Sequence, residues 1–438
     1  MKKLISVFLA MALTLTNFQG WECLKKVDLF EKLDLFQGVD QSFAEEGTLL
    51  EGTGLYYSIS NGKATITDTD ISISGDLVIP ETINGYPVTS IGKYAFGSCR
   101  KLTSISIPEG VTSISANAFY GCEGLLSINI PETVTSIGEY AFSNCKSLIS
   151  VDIPKGVTSI ERYTFRWCEA LNNVTIPNGV TSIGEYAFYN CRALESIIIP
   201  EGVTSIGKSA FYNCESLENI NIPDGVTNID ASAFQYCEKL SSINIPKGIT
   251  SIKNSVFSNC SSLTSIVIPE GVTSIGAGAF SSCYNLKSIN IPERVTSIGK
   301  SAFSSCLSIE SITIPEKITS IEGDTFYRCE NLKSINLPNG LKTIGEFAFD
   351  SCYSLSSITI PEGVTSIERH AFAGCRSLSS ITIPKSVTSI GNDAFNACVG
   401  LESISIPEGI TIIENSTFEK CKSLQSITIP KGVTSIGW

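Results

Sequence analysis

Apolar and polar positions alternate in short bursts along most of this chain. In Ser127-Ile128-Asn129-Ile130 every second side chain is aliphatic, the period of a strand with one buried face. Pro131 follows and cannot donate to a ladder, so it ends the strand. In most copies a glycine stands two residues later, as in Pro108-Glu109-Gly110, which predicts a tight turn. Val134 and Ile137 supply the next inward pair. Ala141, Cys145 and Leu148 then fall at i, i+4 and i+7, the spacing of a short helical turn with one apolar face, and Phe142 joins that face from the side. The block recurs without a slip: fifteen cysteines, from Cys99 to Cys421, lie 23 residues apart. A fixed period of this length predicts a solenoid in which each repeat stacks on its neighbours. One repeat alone buries too little to offset ordering 23 residues, at about 1–2 kcal/mol each, so the copies need one another.

The predicted fold is therefore an α/β solenoid: a stack with a parallel concave sheet and short helical or turn arcs on the convex side. Residues 77–438 form about 15 repeats, with no recognisable C-terminal cap. Residues 51–76 read as an N-terminal β-hairpin cap, because Tyr56–Ser60 and Lys63–Thr67 flank Asn61-Gly62. Five extra residues around Asn84-Gly85-Tyr86-Pro87 make the first repeat irregular. Met1-Lys2-Lys3 followed by an apolar run predicts a signal peptide over residues 1–20, with Ala10-Met11-Ala12 and Thr14-Leu15-Thr16 both open as cleavage regions. Residues 21–50 read as a leader or linker. The mature chain has no stretch that would cross a membrane as a helix.

The net charge of −12, from 31 basic and 43 acidic residues, argues against nucleic acid and against anionic membranes. The single histidine, His370, excludes any two-histidine metal site. The cysteine column fails as a disulfide framework, because equivalent Cβ atoms in stacked repeats point side by side and do not converge. It also lacks Cys-x-x-Cys knuckles, and its thiols read as small buried hydrophobes. Unpaired thiols in an exported chain point to a reducing or anaerobic setting. No cofactor is expected. Glycoside hydrolysis needs two carboxylates, and Asp152 is the only acid in the two outward strand columns, so no enzyme is expected.

The order Leu-x-x-Ile-x-Ile-Pro, Val-Thr-Ser-Ile-Gly, Ala-Phe-x-x-Cys resembles the BspA-like leucine-rich repeat family. Leu102, Ile105 and Ile107 match its strand; Gly92, Ala95, Phe96 and Cys99 match its arc. Ile309 replaces the leucine, and Glu161, Asp230, Lys253, Glu322, Glu368 and Glu414 replace the glycine after the second isoleucine. The resemblance implies an exported or surface protein of a host-associated microbe, of a family in which some members bind host matrix proteins or mediate adhesion and co-aggregation.

Two surfaces are candidates for a partner, read as a host or neighbouring-cell protein or glycan. The outward strand columns are small, polar and nearly uncharged; Asn129, Asp152, Asn173, Thr175, Asn221 and Asn244 are the candidates there. A solvated hydroxyl ladder is the plainer reading of the same columns. On the arcs, Tyr94, Tyr140, Tyr163 and Tyr186 share one repeat position, and Tyr120, Tyr189, Tyr212 and Tyr327 share another. Tyrosine is an amphipathic contact residue. The rival readings are a structural spacer that presents another domain and, less favoured, a carbohydrate-active enzyme.

Overall fold

The alternating bursts form short strands that pair in parallel with the residues 23 positions away. In the computed structural model, which describes residues 47–438, Ser150, Val151 and Asp152 pair with Asn173, Val174 and Thr175. The signal peptide, most of the leader and Cys23 lie outside the described residues. A second parallel ladder runs up the stack at the Thr-Ser-Ile motif, as where Ser182 and Ile183 pair with Ser205 and Ile206. The sequence pattern had suggested only an inward pair there. Both ladders are interrupted along the stack, so they appear as several small sheets.

Each coil fills a common dry interior with side chains in fixed columns. Val157, Ile160, Phe165, Cys168 and Leu171 of one coil are buried, as are their equivalents in the other coils, except in the last, where Phe418, Cys421, Leu424 and Val433 are only partly buried and Ile436 is exposed. Fifteen phenyl rings, Phe96 to Phe418, stack at 5.1 Å between Phe96 and Phe119 and up to 6.0 Å between Phe234 and Phe257. The thiols also bond. The carbonyl of Phe119 accepts the N–H of Cys122 at 3.2 Å and the Sγ–H of Cys145 at 3.2 Å, and the pattern repeats through Cys421. Cysteine thus supplies a methyl-sized apolar body together with one weak donor for a buried carbonyl. The fifteen column thiols are free.

The helical arcs expected from Ala141, Cys145 and Leu148 do not form: there is no helix among the described residues. All three side chains do point inward, but a run of turns puts them there. Two residues per coil hold left-handed backbone, such as Tyr94 and Ser98 (φ 59° and 63°) in the first coil and Ser416 and Lys420 (51° and 62°) in the last. The N–H groups between them alternate in direction. Those of Gly97 and Cys99 bond back to Tyr94 and Phe96 at 2.7 and 3.2 Å, while those of Phe96 and Ser98 cross to Ala118 and Tyr120 of the next coil at 2.8 and 2.7 Å. A helix would spend every N–H within its own coil; the left-handed residues release half of them to tie coils together. Left-handed backbone costs a side-chain-bearing residue roughly 1–2 kcal/mol. Ala397 (φ 55°) lacks even a polar side chain to offset this. Ala397→Gly is expected to stabilise the chain by about 0.5–1 kcal/mol in urea titration, after the entropy of the unfolded glycine is subtracted; a destabilised variant would contradict this account of the arcs.

At the N-terminal side, Leu55–Ser60 and Lys63–Thr69 form an antiparallel hairpin. Asn61 and Gly62 turn it with φ of 53° and 72°, the left-handed pair that a two-residue hairpin loop requires. Lys63–Thr69 also pairs in parallel with Tyr86–Ile91, so the hairpin is continuous with the second ladder. The inserted Asn84-Gly85 segment is itself a small hairpin, with Thr82–Ile83 antiparallel to Tyr86–Ile91 and the Asn84 amide donating to the Tyr57 hydroxyl at 2.6 Å. No helix among the described residues is long and apolar enough to cross a membrane.

Candidate functional site

On the first ladder, Asn129, Asp152, Asn173, Thr175, Asn221 and Asn244 all lie on the exposed face, because strand alternation sends their neighbours inward. Asn244 is not open to a ligand. Its Oδ1 accepts the N–H of Ile222 at 2.8 Å and its Nδ2 donates to the C=O of Ile222 at 2.6 Å. The same column holds two bulky aliphatics that its polar majority conceals: Ile198 is 84% exposed and Val267 79%.

The arc tyrosines are gathered more tightly. Tyr140, Tyr163 and Tyr186 stack at 4.4 and 4.8 Å with nearly parallel rings. At Tyr186 the series steps sideways to Tyr189, 5.6 Å away and tilted, and continues through Tyr212 at 4.6 Å to Tyr236 at 5.3 Å. Trp167 leans on Tyr189 at 6.1 Å, and the Arg166 guanidinium lies 5.6 Å from both Tyr163 and Tyr189. These residues make one belt across five coils. Tyr94 stands apart from it, because Asn117 interrupts the column; its ring meets Lys93 at 5.6 Å instead. Arg166, Trp167 and Tyr236 were not among the residues expected from sequence. Each sits within two residues of a column cysteine, so reading every position in phase with the 23-residue period would have found them.

The belt is electrically quiet. Burial raises the phenols of Tyr94, Tyr140 and Tyr212, and burial together with the adjacent Tyr140 and Tyr186 pushes Tyr163 up to about 12. The hydroxyls therefore stay neutral donors at physiological pH. Two arginines beside them are paired, Arg162 with Glu139 at 2.7 Å and Arg192 with Glu215 at 3.4 Å. Within the belt Asn190 is buried and its Oδ1 has no hydrogen-bond partner among the described residues. Further along, His370 stacks on Phe347 at 4.7 Å, with Asp350 and Asp393 at 3.7 and 3.4 Å from its two nitrogens. No group of His, Cys, Asp and Glu among the described residues is arranged to hold a metal.

Compared with curated proteins, the chain matches none. Among solved structures, a leucine-rich repeat protein from Bacteroides ovatus ATCC 8483 is 29% identical, with 90% of this chain and 99% of that chain covered and a TM-score of 0.60. A leucine rich cell surface protein from Faecalibacterium prausnitzii A2-165 is 30% identical, with 88% and 95% covered and a TM-score of 0.49. The family described as BspA type leucine rich repeat region (6 copies) matches residues 89–215, 158–283, 250–365 and 342–438, a repeat scaffold that indicates no enzyme family. With strands, columns and period all in agreement, the chain belongs to the BspA type leucine-rich repeat family.

Proposed function

We propose that this is a secreted or cell-surface repeat protein that mediates adhesion by binding a protein partner through the Tyr140–Tyr236 belt. The observation that carries this reading is the concentration of Tyr, Trp and Arg in five consecutive coils, while the equivalent arc positions of the following coils are mostly Ser, Asn, Gly and Asp. Those three residue types dominate binding energy at protein interfaces. The geometry favours protein over glycan. A sugar ring stacks on an aromatic face, and here the faces are taken up by neighbouring rings and by Arg166. Ring edges, hydroxyls and the Trp167 indole are what the belt offers, and these suit the mixed polar and apolar surface of a protein. Location outside the cell rests on the N-terminal basic and apolar pattern together with the family resemblance. The hairpin at Leu55–Thr69 serves this reading as the cover of the first coil.

The test is binding of the full chain to immobilised extracellular-matrix proteins, intact neighbouring cells and a glycan array. Trp167→Asn and Tyr189→Ser place residues that other coils carry at these positions. We expect saturable binding to a protein and a loss of tenfold or more in each variant, in line with about 2 kcal/mol for truncating a central aromatic. Binding that both variants retain rejects the belt, and the absence of any binding returns the chain to the role of a spacer.

A further inference from the structure

The outward face of the first ladder carries a recognition chemistry that the arc belt does not use, and Asn244 displays it inside the molecule. One side-chain amide holds both the N–H and the C=O of Ile222, at 2.8 and 2.6 Å, as a neighbouring peptide group in an extended strand would. Asn221 stands at the same repeat position one coil earlier, exposed, with its amide spent on no protein group among the described residues. Ile198 and Val267, both largely exposed, flank this pair of asparagines. They are three coils apart, about 14 Å at roughly 4.8 Å per coil. An extended polypeptide rises about 3.4 Å per residue and turns alternate side chains to one side, so its residues i and i+4 span about the same 14 Å.

The floor beneath Val267 is open as well. No strand pairing joins Ser242–Ile243 to Ser265–Val267. The gap is a groove lined by aliphatic residues, among them Ile245 and Val267, with Lys247 and Glu270 at its rim. Neither rim charge forms an ion pair among the described residues. The groove therefore offers an aliphatic side chain a seat and offers a polar chain flanking charges of both signs.

We propose that the outward face of the first ladder between Ile198 and Val267 binds an extended polypeptide, with aliphatic side chains four residues apart resting on Ile198 and in the Val267 groove and the main chain between them held by Asn221. Amide N–H and C=O groups combined with aliphatic side chains at a strand's spacing belong to polypeptide; a glycan, N-acetylated or not, carries no such side chains. This inference stands on observations separate from the belt, and either can fail without the other.

A random dodecapeptide display library panned against the immobilised full chain tests it, with counter-panning against the triple variant Ile198→Ser, Asn221→Ala, Val267→Thr. All three side chains are exposed, and small or polar residues occupy these positions in other coils, so the variant is expected to melt with the parent chain. We expect enrichment of sequences with aliphatic residues at i and i+4. Those peptides should bind the variant at least tenfold more weakly and Trp167→Asn unchanged, and N-methylation of the backbone midway between the aliphatics should cost tenfold or more. Enriched peptides without that spacing, equal binding to the triple variant, no enrichment at all, or variant-sensitive binding of glycans in place of peptides would each overturn the proposal.

Discussion

Raising the pH from 7 to 10 is expected to remove about 20 kcal/mol of folding free energy from this chain, and the cysteine column is the reason. Burial pushes the thiols of Cys283 and Cys329 up to about 12 and drives Cys191, Cys237, Cys260, Cys306, Cys352 and Cys375 upward as well. A group whose folded value lies above its unfolded one stabilises the fold fully below the unfolded value, near 9, and ceases to do so as the pH climbs through the folded value, near 12. At pH 10 the unfolded chain gains about 1.4 kcal/mol for each thiol it ionises and the folded chain almost nothing. Fourteen of the column thiols are buried, so the effect accumulates along the stack. The urea midpoint should fall steeply above pH 9, and the chain should unfold without denaturant by about pH 11. Replacing Cys283, Cys306 and Cys329 by Ala should flatten the dependence in proportion to the thiols removed. Thiolate absorbance appearing at pH 9 while the far-ultraviolet spectrum remains native would contradict the closed column, as would a urea midpoint that is level to pH 10.5.

The second large effect is a contrast between two deletions in the same coil. Removing residues 237–259, one whole period, brings Tyr236 to Cys260 in phase, so Phe234 meets Phe280 as it formerly met Phe257. The shortened stack should keep its cooperativity and hydrogen-exchange protection. Removing Asn244 alone swaps the faces of the strand that follows it. Ile243 and Ile245 are both buried, on either side of it. At roughly 1.5–3 kcal/mol for a buried isoleucine, the lost inward seat of Ile245 costs about that much, and the amide bonds to Ile222 disappear as well. Protection should collapse in this coil and its neighbours while distant coils hold, because repeats contact only those beside them. If both deletions did equal damage, the coils would not be independent units.

Much of the fold was legible in the sequence. The inward columns of Ile, Val, Phe, Cys and Leu followed from period and hydrophobicity alone, because a stack of equal coils has one interior to fill. The free state of the cysteines followed from the parallel aim of their Cβ atoms. The arcs were misread because i, i+4 and i+7 spacing is shared by a helix and by a run of turns with two left-handed residues. Nothing in Tyr163, Trp167 or Phe347 announces positive φ, since bulky residues seldom adopt it. The candidate site was half legible. Composition marked Tyr140, Tyr163 and Tyr186, yet no count of residues says that Tyr186 hands the series to Tyr189, or that Arg166 lies against both rings it bridges.

What the sequence determined by itself was the repeating unit, the phase of its buried columns and the family, since each depends on which residue recurs every 23 positions. What only the tertiary structure decided was where the hydrogen bonds go between coils. Half of the arc N–H groups turn outward to the next coil, a second ladder forms at Thr-Ser-Ile, and the Asn244 side chain bends back to the backbone of Ile222 while the Asn221 side-chain amide bonds to no protein group among the described residues. The physical reason is that burial is a property each side chain carries with it, whereas a hydrogen bond needs a partner at a set distance and angle, and that partner belongs to another coil.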